Sequence, residues 1–480
     1  MRRLKPLIIW PVLALVLFGC AHTPQLPAAA PRSLSFTPRT PEEWRLPNGL
    51  TVLWIEDQEL PLVSGSLFLK GGSLWEPAAE PGVVSAMGDL MRDGGAGNLD
   101  ADALDQTLES LAASIGSGFD AETGSVSFGC LSSDLDRVFE LFAEVALNPR
   151  FDQPRIDLWR TGALEELRRR KDDPQQVVST ALRQVIYGNS VYGKVLRSPD
   201  VQRIQRVDLL RAHRQFVRPD GAILVLTGAS SRERLAKLVD KHFAAWRPRG
   251  ETFSKYPPIN YTPKPAIYFV ELPFKQASVL LGEQGVPRLT PDYIGIEILN
   301  RIFADGFSSR LMMRLREQLG LVYGVSGAIS PGPVKGANYV FLQTKSASVP
   351  QAISEAISEI KRLQDQPISA EELSFTQERA QNGHIFKFDT PSDLLLRTAN
   401  QRLLGYPADY DQTYIPKIMA AHPEDVQAVA RSRWDTSALA IVVVGDRGAY
   451  DALKSAQSEK GSVLHDLELK KIGFQEALIW

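Results

Sequence analysis

The sequence is poor in the residues that bind soft metals and carry redox chemistry. Its 480 residues include two cysteines and six histidines. Cys20 and Cys130 form no Cys-x-x-Cys pair, which excludes dithiol redox chemistry and cysteine-based zinc sites. The histidines (His22, His213, His242, His384, His422 and His465) never stand three or four apart, so no helical turn offers two imidazoles to one metal ion. An excess of charge is missing too. Lys and Arg number 54 against 56 Asp and Glu, a net charge of −2, which gives no electrostatic case for binding nucleic acid. The remaining composition, 44% hydrophobic and 23% charged, is that of a folded globular chain long enough for more than one core.

The first twenty residues differ from the rest. Arg2, Arg3 and Lys5 precede an apolar stretch from Leu7 to Phe18 that is short for a bilayer span, the layout of an export signal. Leu17-Phe18-Gly19-Cys20 resembles the lipobox of bacterial lipoproteins. That resemblance implies removal of residues 1–19 and a lipid on Cys20. With Ala21 rather than Asp next, it implies an outer-membrane protein facing the periplasm, held by two or more acyl signals. The plainer alternative is an uncleaved N-terminal anchor. Residues 20–45, with Pro24, Pro27, Pro31, Pro38 and Pro41, read as an extended spacer. Cys130 ends the alternation Val126, Phe128, Cys130 and reads as a small buried strand residue.

Two stretches then repeat one grammar, residues 46–247 and 266–460, joined by a proline-rich linker at 248–265 and followed by a tail at 461–480. In the first, the turn Asn48-Gly49 leads to strands Thr51–Ile55 and Val63–Lys70. A helix opens after Pro81 and stops at Gly94-Gly95, and another begins near Asp100 with Leu104, Leu108 and Leu111 on one face. Strands at Ser114–Phe119 and Gly124–Cys130, four helices from Asp134 to Phe216, and an apolar strand Ala222–Thr227 complete it. In the second, strands Ile267–Glu271 and Ala277–Glu283 precede helices Pro291–Phe303 and Ser308–Gln318. Strands Val322–Ile329 and Tyr339–Thr344 follow, then mostly helix until Ala438–Val444. Arg206–Gly228 and Pro423–Gly445 align without a gap, matching Asp208 with Asp425, Arg214 with Arg431, Val225 with Val442 and Gly228 with Gly445. A duplication is the simplest account. The expected class is α+β: two homologous α/β-layered domains, each a mixed or antiparallel sheet packed with helices, closing as a hinged clamshell.

The entry Leu46-Pro47-Asn48-Gly49-Leu50, the run Gly71-Gly72-Ser73-Leu74-Trp75-Glu76 and the helix Gly82-Val83-Val84-Ser85-Ala86-Met87-Gly88-Asp89-Leu90-Met91, with the duplication, resemble the insulinase/pitrilysin family, which includes the mitochondrial processing peptidases. Its active members carry the inverzincin motif His-x-x-Glu-His on this helix. The resemblance places the first histidine on Ser85, the general base on Gly88, the second histidine on Asp89 and the third zinc ligand on Glu166. A neutral serine hydroxyl is a weak donor, and two carboxylates without imidazole make a weak, hard site. Gly88 has no side chain to activate water. No metal site and no cofactor are therefore expected in this chain. Glu166 also reads as a solvated helical pair with Arg170, four residues on.

The second half keeps what looks like the family's C-terminal motif, Gly306-Phe307-Ser308-Ser309-Arg310-Leu311 followed by Leu315-Arg316-Glu317-Gln318-Leu319-Gly320-Leu321-Val322-Tyr323-Gly324-Val325. The resemblance implies that Arg316 and Tyr323 reach toward a zinc domain, the guanidinium to a substrate carbonyl or carboxylate and the phenol to an oxyanion. Read alone, they are a surface arginine beside Glu317 and a half-buried strand tyrosine. The resemblance also makes Ser114, Ile115, Gly116, Ser117, Gly118 and Phe119 an edge strand to which an extended peptide adds, against the plain reading of an ordinary edge. The helices between Gln351 and Ala420 read as packing. Together these imply an accessory subunit, inactive alone, that binds unfolded peptides. It would lend Arg316 and Tyr323 to a zinc-bearing homologous partner, as a heterodimer, or else form a homodimer. The alternative is a lipid-anchored peptide-binding or scaffold protein with no proteolytic role.

Overall fold

Residues 39–247, 253 and 255–473 are described by the computed structural model; the expected signal segment and Cys20 lie outside them. The first half builds a six-stranded sheet from β1 (Glu42–Arg45), β2 (Thr51–Glu56), β3 (Leu62–Lys70), β4 (Ser114–Phe119), β5 (Thr123–Leu131) and β6 (Ile223–Gly228). Its order is β1-β2-β6-β3-β5-β4. Only β2 and β6 run parallel, and the other neighbours are antiparallel. Strands β3 and β5 alternate buried and less buried residues, as expected where one face meets a core. Strand β6 is buried at every position. Around this sheet stand α1 (Val83–Asp93), α2 (Ala101–Ser110), α3 (Leu135–Leu147) and α4 (Gln153–Arg169). They are followed by α5 (Pro174–Tyr187), α6 (Ser198–Arg203), α7 (Arg206–Phe216) and α8 (Arg232–Phe243).

The second half repeats the plan with β7 (Ala266–Glu271), β8 (Gln276–Gln284), β9 (Val322–Ser330), β10 (Ala337–Lys345), β11 (Ala440–Gly445) and β12 (Leu469–Lys471), in the order β12-β7-β11-β8-β10-β9. Its helices are α9 (Tyr293–Phe303), α10 (Val349–Asp365), α11 (Ala370–His384), α12 (Pro391–Leu404), α13 (Tyr410–Met419), α14 (Pro423–Arg433) and α15 (Arg447–Gln457). The expected helix Ser308–Gln318 narrows to its later part, where Met312–Gln318 is a π-helical turn. Two short strands correct the sequence reading. β1 falls inside the expected spacer and pairs with β2 from Glu42↔Trp54 to Arg45↔Thr51. β12 falls in the expected tail and pairs parallel with β7. Both are edge strands with little buried surface, so neither has the apolar alternation that marks a strand.

Each sheet packs one face on its own helices and receives a helix from the other half on the opposite face. Val177, Val178, Ala181 and Leu182 of α5 form one buried cluster with Val270, Leu280, Val442 and Val444 of the second sheet. Leu394, Leu395, Ala399 and Leu403 of α12 form another with Leu53, Ile55, Ile223 and Val225 of the first. The exchanged helices are equivalent. They begin at Pro174 and Pro391 and end at Tyr187 and Leu404, the same offset that relates α7 to α14. Each has proline in its first turn, where the missing N–H costs nothing. This reciprocal cover explains why β6, Thr227 apart, and β11 are apolar: both faces of each are buried.

Candidate functional site

Helix α1 starts at Gly82, in a left-handed conformation with φ of 91°. The Glu76 carboxylate accepts hydrogen bonds from the amides of Gly82 (2.9 Å) and Val84 (2.7 Å). It satisfies donors that the helix itself leaves open. Burial holds the Glu76 pKa above the ordinary value against these bonds and Lys194. The Gly71–Glu76 run therefore has a structural duty that the sequence reading did not assign.

One turn apart, Ser85 and Asp89 are exposed on α1, while Gly88 is buried between them. Gly88 lies so close to β4 that a Cβ there would sit 2.5 Å from the Phe119 amide nitrogen and 2.9 Å from the Gly118 carbonyl carbon. The Ser117 hydroxyl seals the approach: it donates to the Gly88 carbonyl (2.6 Å) and accepts from the Arg92 amide (3.1 Å). The space a catalytic glutamate would need at position 88 is thus occupied by strand backbone. Asp89 accepts a 3.0 Å hydrogen bond from the Trp159 indole of α4. Its pKa is raised, first by desolvation and then by Asp93 and Glu166, against the lowering effect of Trp159. Glu166 is exposed and acts on Arg170 through its charge, without a direct ion-pair contact. Glu165 takes the arginines instead, meeting Arg168 at 3.0 Å and Arg169 at 2.8 Å, while Arg170 turns to the Leu196 carbonyl. Among the described residues, no group of three or more His, Cys, Asp or Glu converges to hold a metal ion. Ser85, Asp89 and Glu166 do not make a zinc donor set.

Strand β4 divides its residues by face. Ile115 and Phe119 enter the core of the first half, and Ser117 bonds α1. Gly116 and Gly118 point the other way, and a Cβ at Gly118 would meet nothing within 4 Å. That open side gives onto a cavity of about 960 Å³ between the halves. Phe68, Asp89, Gly118, Phe119 and Asp120 form part of one wall; Lys387, Arg397, Tyr406, Tyr410 and Tyr414 form part of the other. Of the four degenerate motif positions, Asp89 alone is among the described lining residues.

Arg316 and Tyr323 are not. Arg316 lies in the π-turn before Gly320, whose φ of 60° ends it. Its guanidinium is 3.6 Å from Glu317 and 5.8 Å from the Phe307 ring centre. Tyr323, on the edge strand β9, is 49% exposed, in keeping with the plain reading of a half-buried strand tyrosine. The structure does not bring this pair to Asp89. The helices read as packing fulfil that role through α12, but α12 and α13 also wall the cavity, so the reading of pure packing was too narrow. Tyr410 and Tyr414 stand one turn apart on α13, a spacing that was available in the sequence, whereas Tyr406 lies in the connection between α12 and α13.

Residues 51–200 match the family model described as Insulinase (Peptidase family M16), and residues 203–380 match Peptidase M16 inactive domain. An uncharacterised zinc protease of Mycobacterium leprae is 28% identical over 48% of this chain and 53% of its own length, so the chain spans about half of that relative. A non-peptidase homolog, YmxG, of Helicobacter pylori is 20% identical over 82% of this chain and 92% of its own. A Pseudomonas fluorescens structure described as a peptidase M16 inactive domain superposes with a TM-score of 0.77 at 24% identity, over 85% of this chain and 98% of that one. The periplasmic protease PqqL of Escherichia coli gives 0.73 at 15%, over 92% of this chain and 51% of its own. At these identities the structures speak for the fold.

Proposed function

Because the chain belongs to the insulinase family of peptidases, M16, we propose that it is a member that has given up hydrolysis and binds extended polypeptide for a zinc-bearing partner. The observation that carries this reading is Gly88. The family's water-activating carboxylate is absent, and the backbone of β4 fills the place where it would stand. The edge strand β4 supports peptide binding: Gly116 and Gly118 leave its outer face clear, and Gly118 borders the cavity. Arg316 and Tyr323 stand outside this chain's own cavity and on its surface, where a second polypeptide can reach them. In this reading they serve the partner's centre, the partner supplies the zinc, and the Cys20 lipid holds the pair at the periplasmic face of the outer membrane.

The test mixes the purified chain with a zinc-bearing homologous subunit and follows cleavage of an unfolded peptide. Cleavage is expected from the mixture, dependent on zinc, and reduced about a hundredfold by Arg316→Ala, the scale of losing one transition-state donor. Equal cleavage by that variant removes the shared-site mechanism and leaves a scaffold. Chelator-sensitive cleavage by this chain alone overturns the reading altogether.

A further inference from the structure

The wall of the cavity contributed by the second half differs from the β4 edge in carrying charged and phenolic side chains. Its charged side chains are nearly all answered within the fold. Arg397 is gripped by Asp411 through Nε at 3.0 Å to both oxygens. Glu297 accepts from the Tyr414 hydroxyl at 3.2 Å and lies 3.9 Å from Arg301. Across the cavity, Asp120 is held by the amides of Glu122 and Thr123 and by the Thr123 hydroxyl, and Asp89 by Trp159.

Lys387 is the exception. It lines the cavity, and no oxygen within the described residues pairs with its ammonium. Its contact is the face of Tyr414, 4.9 Å from Nζ to the ring centre. Tyr406 and Tyr410 stand beside it in the same wall, with rings 4.8 Å apart, and their hydroxyls make no hydrogen bond within the described residues. Glu297 and Asp411 attract the ammonium from a distance without pairing with it directly, so this partly desolvated cation, held by a ring face in the same wall as two idle hydroxyl donors, has room for a further acceptor.

We infer that Lys387, with Tyr406 and Tyr410, forms a subsite for a carboxylate of the polypeptide lying along β4. The inference rests on the peptide-binding reading above. The carboxylate comes from an acidic side chain or from the peptide's own C-terminus. Arg397 is not the recognising group, because Asp411 already neutralises it.

The experiment titrates the full chain with fluorescein-labelled unfolded peptides that differ at one position, Glu or Gln, each with a free or an amidated C-terminus. Anisotropy reads the affinity. A roughly tenfold preference for Glu, lost in Lys387→Met and kept in Lys387→Arg, supports the subsite with a side-chain source. The same pattern for free over amidated ends supports it with a terminal source. Unchanged melting of Lys387→Met shows that the loss is one of recognition. If all four peptides bind equally, or Lys387→Met keeps the preference, the subsite is overturned while peptide binding stands. If none binds, the functional reading fails first and takes the subsite with it.

Discussion

The two halves share one topology, and where they differ at equivalent positions the difference is polar content and helix spacing. The sixth residue of α1 is Gly88; the sixth of α9 is Ile298, fully buried. The first half draws its helix against the edge strand, and the second leaves room for a branched side chain. The eighth residue of β3 is Leu69 and the eighth of β8 is Glu283, paired in register with Gly124 and Asn338 respectively. At Gly124 the Phe119 ring fills the space, since a Cβ would lie 2.3 Å from it. At Asn338 the side-chain amide donates to Glu283 at 3.1 Å, and the Asp435 amide donates to the same oxygen at 3.1 Å. The apolar ladder therefore suffices for the fold. Each polar group inside it needs a local reason.

The strongest way to break this contrast is to give the first half back what it lacks. Gly88→Glu forces a carboxylate into strand backbone and is expected to cost about 4 kcal/mol or more, read as a shift in the denaturant midpoint. It is expected to restore neither zinc binding nor hydrolysis. A well-folded Gly88→Glu protein would show that α1 withdraws from β4 freely, and the contrast with Ile298 would lose its meaning. Next come the exchanged helices. Leu182→Ala in α5 and Leu395→Ala in α12 each remove a buried side chain from the sheet of the opposite half, at about 3 kcal/mol apiece. Similar losses sharpen the symmetry; a loss at one site alone would show that one half carries the other.

The third test uses pH. Burial raises the Glu283 carboxyl to about 7 from 4.5, against the two hydrogen bonds that favour its ionised form. A raised carboxyl binds its proton more tightly when folded. Its contribution is complete below pH 4.5 and is lost as pH climbs through 7. Stability of the native chain is expected to fall by about 2 kcal/mol across that window. Glu283→Gln keeps an acceptor oxygen for Asn338 and Asp435 and is expected to flatten that part of the pH profile. Leu69 at the equivalent position has no such dependence to lose.

Much of this was legible in the sequence for physical reasons that can be named. Helix α1 announced itself between Gly82 and Gly94, and α2 through Asp100, whose side chain accepts from the Ala103 amide. The duplicated stretch Arg206–Gly228 and Pro423–Gly445 became α7 with β6 and α14 with β11, residue for residue. Helix α8 was passed over although Ser231 caps it and Leu235, Leu238, Val239 and Phe243 are buried along it. The site was less legible. That Asp89 meets Trp159, seventy residues away, depends on how α4 crosses α1. The cavity wall of Lys387 and the tyrosines exists because α12 crosses to the other sheet, and no local pattern records a crossing.

The smallest expected effect tests what the second half has kept. Arg316 pairs with exposed Glu317 at 3.6 Å, beyond hydrogen-bond distance, and both side chains are well solvated. Such a pair contributes little, because water screens it and two long side chains must be ordered to form it. Tyr323 is largely outside the core on an edge strand, so its hydroxyl supports no buried network. Arg316→Ala and Tyr323→Phe are each expected to move unfolding stability by no more than about 0.5 kcal/mol. The same substitutions in the two-chain mixture are expected to lower peptide cleavage steeply. A residue that matters to activity and not to folding is one the fold holds for another molecule. Should either substitution destabilise the isolated chain by about 2 kcal/mol instead, the pair belongs to this half's own architecture, and its persistence needs no partner to explain it.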